Sequence, residues 1–248
     1  MERLLNINEA AEILNVSEMT VRRWTNAGSL HCYRVGGKRE RRFRSQDLQD
    51  YLERGDIQAA VAYNAPLGFG GLAVPDGSHV THLSRETPEA LEVGSSYVLE
   101  GLKKDETVLL VALAEKRENI LEMLSEQGVN PENFRKKGKL HLSEGMDTPA
   151  SQAEYIARIA AASRGRFRAF GDMSWAKQKG WSLESLRELE EMAGADAGSP
   201  GNLLFCQYPL ENFSGMAAMM VVETHDYAIY KGVLMERPWS RKAITIPN

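Results

Sequence analysis

Apolar residues recur along the chain in two different rhythms. From Asn8 onward, Ala10, Ala11, Ile13 and Leu14 fall at helical spacing, with the Asn8 side chain as the expected N-cap. Ser17 reads as a second N-cap, opening a helix over Glu18–Ala27 whose Val21 and Trp24, three apart, share one buried face. Gly28 suits the left-handed position just past that helix. Two short strand-like runs follow, His31–Val35 and Glu40–Arg44, on either side of Gly36 and Gly37, a pair able to take positive φ in a hairpin turn. Ser45 then caps a third helix, Gln46–Arg54, that buries Leu48 and Leu52.

Residues 55–78 lose this periodicity. They hold five glycines, two prolines and two charges, and read as a linker. From His79 strands alternate with helices. Strands are expected at His79–Ser84, Thr107–Leu113, Lys139–Ser143, Phe167–Phe170, Asn202–Tyr208 and Tyr227–Met235. Helices are expected at Thr87–Lys104, Glu115–Gln127, Pro149–Arg164, Leu183–Ala193 and Asn212–Thr224. The continuous apolar run TVLLVAL at Thr107–Leu113 is that of a strand covered on both faces. The alternation predicts an α/β domain with a mainly parallel sheet and right-handed crossovers. The expected organisation is a DNA-reading domain at 1–54, a linker at 55–78, an α/β domain at 79–238 and a tail at 239–248.

Composition narrows the class. Apolar residues at 43% and charged residues at 26% fit a soluble globular chain. No apolar run approaches the ~20 residues of a spanning helix. The two cysteines, Cys32 and Cys206, exclude a disulfide scaffold, and with a polar, amphipathic start after Met1 they point to a reducing cytoplasm. The net charge of −4 conceals a basic island: Thr20–Arg44 carries eight Lys and Arg against a single acid, Glu40. A stretch of that sign in an acidic protein is the footprint of a phosphate-bearing partner.

Two helices joined by a short turn, followed by a basic hairpin, make a winged helix-turn-helix. With Val21 and Trp24 turned inward, Thr20 and Arg23 project from the face that can enter a major groove, where Arg forms bidentate bonds to guanine and Thr meets a base edge or a thymine methyl. Ser17, Arg22, Arg34, Lys38, Arg39 and Arg41 are candidates for the DNA backbone of a double-stranded operator. The run with AAEILNVS, TVRRW, the G-x-L turn, YRVGG and RFRSQDLQDYL resembles the DNA-binding module of the MerR and excisionase-like superfamily over almost all of residues 4–53.

No G-x-x-x-x-G-K-[ST] phosphate loop occurs, which disfavours nucleotide hydrolysis. No nucleophile elbow occurs either, so the chain is not read as an enzyme and no cofactor is expected. The order of elements after His79, with EGLKKDETVLLV, GDMSW followed by L-x-E-L-E, LFCQY and a late Thr224-His225, resembles the MEDS sensory domain of methanogens and methylotrophs. It is similar to a RecA/KaiC-like three-layer fold whose phosphate loop is replaced by HLSRE. That resemblance implies sensing of a small organic compound.

In such a sheet ligands lie beyond the carboxyl ends of the strands. The candidate ligand-binding residues are therefore His82, Arg85, Glu115, Asp172, Trp175, Tyr208 and His225, and a pocket with Trp175, Tyr208 and His82 would suit a small, partly apolar ligand. Convergence of His79, His82, Cys206 and His225 on a metal is a weaker alternative, because their spacing is unlike paired Cys/His zinc motifs. The resulting expectation is a cytoplasmic transcription regulator, a homodimer or higher homo-oligomer, whose small ligand alters operator binding. Thr87–Lys104 or Asn212–Thr224 would supply the dimer surface. The rival readings are an excisionase-like architectural factor with an oligomerising second domain, and a degenerate RecA-like ATPase.

Overall fold

The first helix starts two residues earlier than the apolar pattern alone indicates. Asn6, rather than Asn8, is its N-cap: the Asn6 side chain accepts the Asn8 and Glu9 backbone N–H groups at 2.8 and 3.0 Å, and the Glu9 carboxylate accepts the Asn6 N–H at 2.8 Å. This reciprocal box needs an acid three residues after the cap, which Asn6 has in Glu9. The computed structural model describes residues 3–14, 16, 18–26, 30–36, 40–53, 64–197 and 201–237. Ser17, Gly28, Gly37, Lys38, Arg39 and the tail lie outside the described residues.

The described residues fall into two units, divided between Tyr63 and Asn64. The N-terminal unit holds α1 (Ile7–Ile13), α2 (Glu18–Asn26), β1 (Tyr33–Val35), β2 (Glu40–Arg42) and α3 (Ser45–Glu53). The antiparallel β1–β2 hairpin sets Arg34 opposite Arg41. Leu5 and Phe43 exchange backbone hydrogen bonds of 2.8 and 2.9 Å, fastening the segment before α1 to the one after β2. Ala10, Ala11, Leu14, Val21, Leu30, Phe43 and Leu48 form the core, with Trp24 and Tyr51 packed at its edge, ring centroids 5.2 Å apart.

In the C-terminal unit seven strands form one sheet in the order β11 (Val233–Glu236), β10 (Tyr227–Tyr230), β5 (His79–Ser84), β9 (Asn202–Pro209), β8 (Phe167–Asp172), β6 (Thr107–Val111), β7 (Leu140–Ser143). Every pairing is parallel except β10–β11. The single strand expected at Tyr227–Met235 is thus a hairpin, because the chain reverses at Lys231 and Gly232 and pairs Tyr227 with Glu236. Helix α4 (Thr87–Lys103) lies against one face beside α5 (Ala114–Glu126), and α7 (Pro149–Ala162), α9 (Leu183–Ala197) and α10 (Gly215–Thr224) cover the other. The short helices α6 (Pro131–Lys136) and α8 (Ser174–Gln178) complete the unit. Among the described residues no helix is long and apolar enough to cross a membrane.

The linker expectation fails for residues 64–78. They form an antiparallel hairpin, β3 (Asn64–Pro66) with β4 (Ala73–Pro75), whose Ala65, Leu67 and Val74 are wholly buried in the core under α4. Polar groups hold it as well. Arg168 of β8, fully buried, donates to Glu106 at 2.5 Å, to the Tyr97 carbonyl at 3.1 Å and to the Pro66 carbonyl at 3.3 Å. Its guanidinium also lies over the Tyr97 ring, 4.6 Å from the centroid. Arg166 bridges Glu106 at 3.3 Å and Asp76, just after β4, at 2.5 Å.

Removing Arg168 from this desolvated pair leaves the buried Glu106 with only its longer contact to half-buried Arg166. Arg168→Leu is expected to lower the unfolding free energy of this unit by about 3–5 kcal/mol in urea titrations. A loss under about 1 kcal/mol, the range of exposed pairs, would show that the pair is not desolvated as described.

Candidate functional site

In the N-terminal unit the basic residues converge from two elements. Arg22 is exposed on α2, within 3.5 Å of Glu18 one turn earlier. Thr20 lies half-buried on the same helix. Arg34 is exposed on β1, and Arg41 faces it across the hairpin with its Nε donating to Thr25 of α2 at 3.0 Å. Partial burial, then the Arg34 and Arg22 guanidiniums, press the Arg41 pKa below its usual value. Like charges set directly across a strand pair repel. A phosphate placed among the three would relieve that repulsion. Arg44 is committed differently, 5.0 Å from the Tyr33 ring centroid. Arg23 lies on α2, but its side chain, like Ser17, Lys38 and Arg39, is outside the described residues.

In the C-terminal unit strand alternation decides which candidates meet. His82, Gln207 and Asp172 are register partners on β5, β9 and β8 and point to the α4/α5 face. They form one hydrogen-bonded chain. Glu89 lies 3.5 Å from His82 Nε2, Gln207 Nε2 lies 3.0 Å from His82 Nδ1, and Lys116 donates to Gln207 at 2.6 Å and also to Asp172. Asp172 in turn accepts the Ser174 N–H at 3.1 Å. Lys116 was absent from the sequence expectation. The only signal for it is its place in the first turn of the helix that follows the buried TVLLVAL strand.

Tyr208, Cys206 and His79 point to the opposite face. There they meet Glu190 of α9 and His225, which ends α10. Glu190 is fully buried and accepts a hydrogen bond from the Tyr208 hydroxyl. Burial opposes its ionisation, but the adjoining His225 and His79 and the bonds it accepts hold its pKa down at about 2. Burial, aided by His79, pushes the His225 imidazole down to about 3. Burial and the Glu190 carboxylate raise the Cys206 thiol and the Tyr208 phenol.

Next to this group is a small cavity of about 30 Å³, lined by Val111, Ile156, Met173, Trp175, Glu190 and Cys206 among others. Trp175 is 1% exposed and stacks edge-on with Trp181 at 4.9 Å. Among the described residues its indole Nε1 has no hydrogen-bond partner. The backbone of Gly145 lies against the indole, where an added Cβ would fall 2.1 Å from the ring, so only glycine fits there.

The single pocket expected from the sequence is therefore corrected. His82 and Asp172 lie on one face, Trp175, Tyr208 and His225 on the other, because neighbouring residues of one strand cannot share a side. Arg85 and Glu115 are exposed beyond the strand ends, and Arg85 meets the first group only through its backbone N–H, which donates to Glu89 at 3.3 Å.

Burial, with Lys116 nearby, lowers the His82 pKa below its ordinary 6.5, and Glu89 only partly offsets this. As pH falls the unfolded chain therefore takes up the proton first. Stability is expected to decline below about pH 6.5, by at most about 1.4 kcal/mol per pH unit for this group, until native His82 protonates too. In unfolding curves collected across that window, His82→Gln is expected to flatten the decline. An unchanged slope would assign it elsewhere.

Comparisons with known proteins agree with this architecture. Residues 78–226, well over half the chain, match the MEDS family, described as the methanogen/methylotroph, DcmR sensory domain. Residues 4–56 match a helix-turn-helix domain. The chain is 28% identical over 240 residues to the transcriptional repressor DcmR of Methylorubrum extorquens, covering 91% of each. A KaiC-like protein of Pyrococcus horikoshii superposes with a TM-score of 0.50 at 16% identity, over 66% of this chain and 78% of that one, a likeness of fold. The match over residues 78–226, on a sheet of KaiC-like fold preceded by a helix-turn-helix, shows that the chain belongs to the MEDS family.

Proposed function

We propose that the protein is a one-component transcription regulator in which a small, mainly apolar molecule binds the cavity beside Trp175 and changes the affinity of paired helix-turn-helix units for operator DNA. The observation that supports sensing best is the buried indole Nε1–H of Trp175. It has no partner and belongs to a residue on the wall of an otherwise apolar cavity. An unmet donor in such a place costs stability unless a ligand atom accepts from it. The fitting ligand is compact, apolar over most of its surface, and carries one acceptor.

The DNA side of the reading draws on the Arg22, Arg34 and Arg41 cluster and on the relative's name as a transcriptional repressor. A unit of this size presents few base contacts, and a symmetric pair doubles them. Helix α10 is the proposed dimer surface, since Met216 and Met219 are 68% and 46% exposed while Met220 is buried. Coupling then requires only that ligand favour one arrangement of the pair over the other.

Two experiments test this. With an operator selected from random DNA, Arg23→Ala is expected to weaken binding by about 1–3 kcal/mol and relax base preference at one position, read by fluorescence anisotropy. Unchanged affinity would remove Arg23 from the recognition surface. In a thermal-shift screen of small alcohols, ethers and ketones, hits are expected to raise the Tm of the wild type. Trp175→Phe, which keeps a ring and removes the N–H, should lose that rise relative to its own ligand-free Tm. Hits that shift both proteins equally would place the ligand elsewhere.

A further inference from the structure

Four potential metal ligands meet inside the C-terminal unit, in a place that the ligand reading does not require. They are His79 at the start of β5, Glu190 in α9, Cys206 in β9 and His225 at the end of α10, and one donor atom of each lies within 4.8 Å of all the others. His79 Nε2 is 3.2 Å from Glu190 Oε2 and 3.3 Å from Cys206 Sγ. Glu190 Oε2 is 3.4 Å from His225 Nε2 and 3.5 Å from Cys206 Sγ. Zinc bonds of about 2.0–2.1 Å to nitrogen, 2.0–2.2 Å to oxygen and 2.3 Å to sulfur put the corners of a tetrahedron about 3.3–3.6 Å apart. The four separations that involve Glu190 or join His79 to Cys206 are close to such corners, and the remaining two lie within 4.8 Å.

The surrounding hydrogen bonds aim the donors inward. His225 Nδ1 lies 2.7 Å from the Val221 carbonyl, which only accepts, so Nδ1 carries the proton and Nε2 the lone pair. That Nε2 is fully buried and has no hydrogen-bond partner, yet it faces a carboxylate oxygen. Two electron pairs confront one another across the space a cation would fill. Tyr208 occupies Oε1 of Glu190 and leaves Oε2 turned to the other three groups. Both contacts are those with which proteins fix metal-bound imidazole and carboxylate. His79 lacks such support, since its Nδ1 has no partner.

Charge points the same way. Among the described residues the contacts of Glu190, a carboxylate with no exposed surface, are a phenol, a thiol and two imidazoles, with no lysine or arginine. One divalent cation with Glu190 and a Cys206 thiolate makes the group neutral. Thiolate and imidazole donors select against magnesium and calcium.

We propose that His79, Glu190, Cys206 and His225 bind one zinc ion, in a four-ligand site that ties β5, β9, α9 and the end of α10 together. His82, considered with His79 on sequence spacing, is not part of it because it points to the opposite face. The site stands independently of the ligand reading, although Glu190 and Cys206 also border the cavity.

The test uses the full-length chain purified without added metal. Mass-spectrometric metal analysis is expected to find about one zinc per chain, as a closed four-ligand site would retain. After chelation and addition of cobalt(II), a near-ultraviolet thiolate-to-cobalt band and intense visible bands of tetrahedral cobalt are expected. Cys32→Ser should keep the thiolate band and Cys206→Ala should abolish it. If Cys206→Ala does not fold, the wild-type and Cys32→Ser spectra still decide. A folded wild-type chain that holds no zinc and gives no thiolate band with excess cobalt overturns the proposal. So does a band lost with Cys32 but kept without Cys206. Because the readout is metal content and spectrum, a failed ligand screen leaves it unaffected, and absence of metal leaves the Trp175 test standing.

Discussion

The C-terminal unit depends on the alternation of side chains along β9, the strand between β5 and β8. Leu204, Cys206 and Tyr208 enter one interior, while Leu203, Phe205 and Gln207 enter the other. Because the period is two, a slip of one residue would exchange the contents of both interiors and strand polar groups in apolar surroundings. The pairing Asp172–Gln207–His82 and the contacts of Cys206 and Tyr208 with Glu190 hold the strand in register from both sides. The sheet thus carries two polar systems back to back that do not mix.

Much of this architecture is legible from residue pattern. The strand and helix alternation after His79 follows from apolar runs such as TVLLVAL, and the basic hairpin follows from glycines between Arg-rich runs. What fails is the inference from glycine and proline content to a linker. Gly68 is needed for close approach, since an added Cβ would fall 2.4 Å from the Ser96 carbonyl oxygen of α4. A glycine under a helix and a glycine in a tether look alike in a sequence, because the difference lies in what packs against them.

Of the candidate site the sequence offered residues but not an arrangement. Arg85 and Glu115 are exposed, whereas His82, Asp172, Trp175, Tyr208 and His225 are buried. Their partition between two faces follows from register, which no local pattern contains. Lys116 and Glu190 arrive from helices whose docking depends on the whole sheet. In the N-terminal unit the reverse holds. There the arginine cluster was visible as a charge run, because Arg22, Arg34 and Arg41 all fall within Thr20–Arg44.

The hairpin at 64–78 separates two ideas of a domain that usually coincide. The match to the MEDS family starts at residue 78, whereas the compact unit starts at Asn64. A fragment cut at the homology boundary would lose Ala65, Leu67 and Val74 from the core, and would strip Arg168 of its Pro66 acceptor and Arg166 of Asp76. What is conveniently excised by resemblance is therefore less than what packs together, and any transplant of this unit onto another output should carry its first fourteen residues with it.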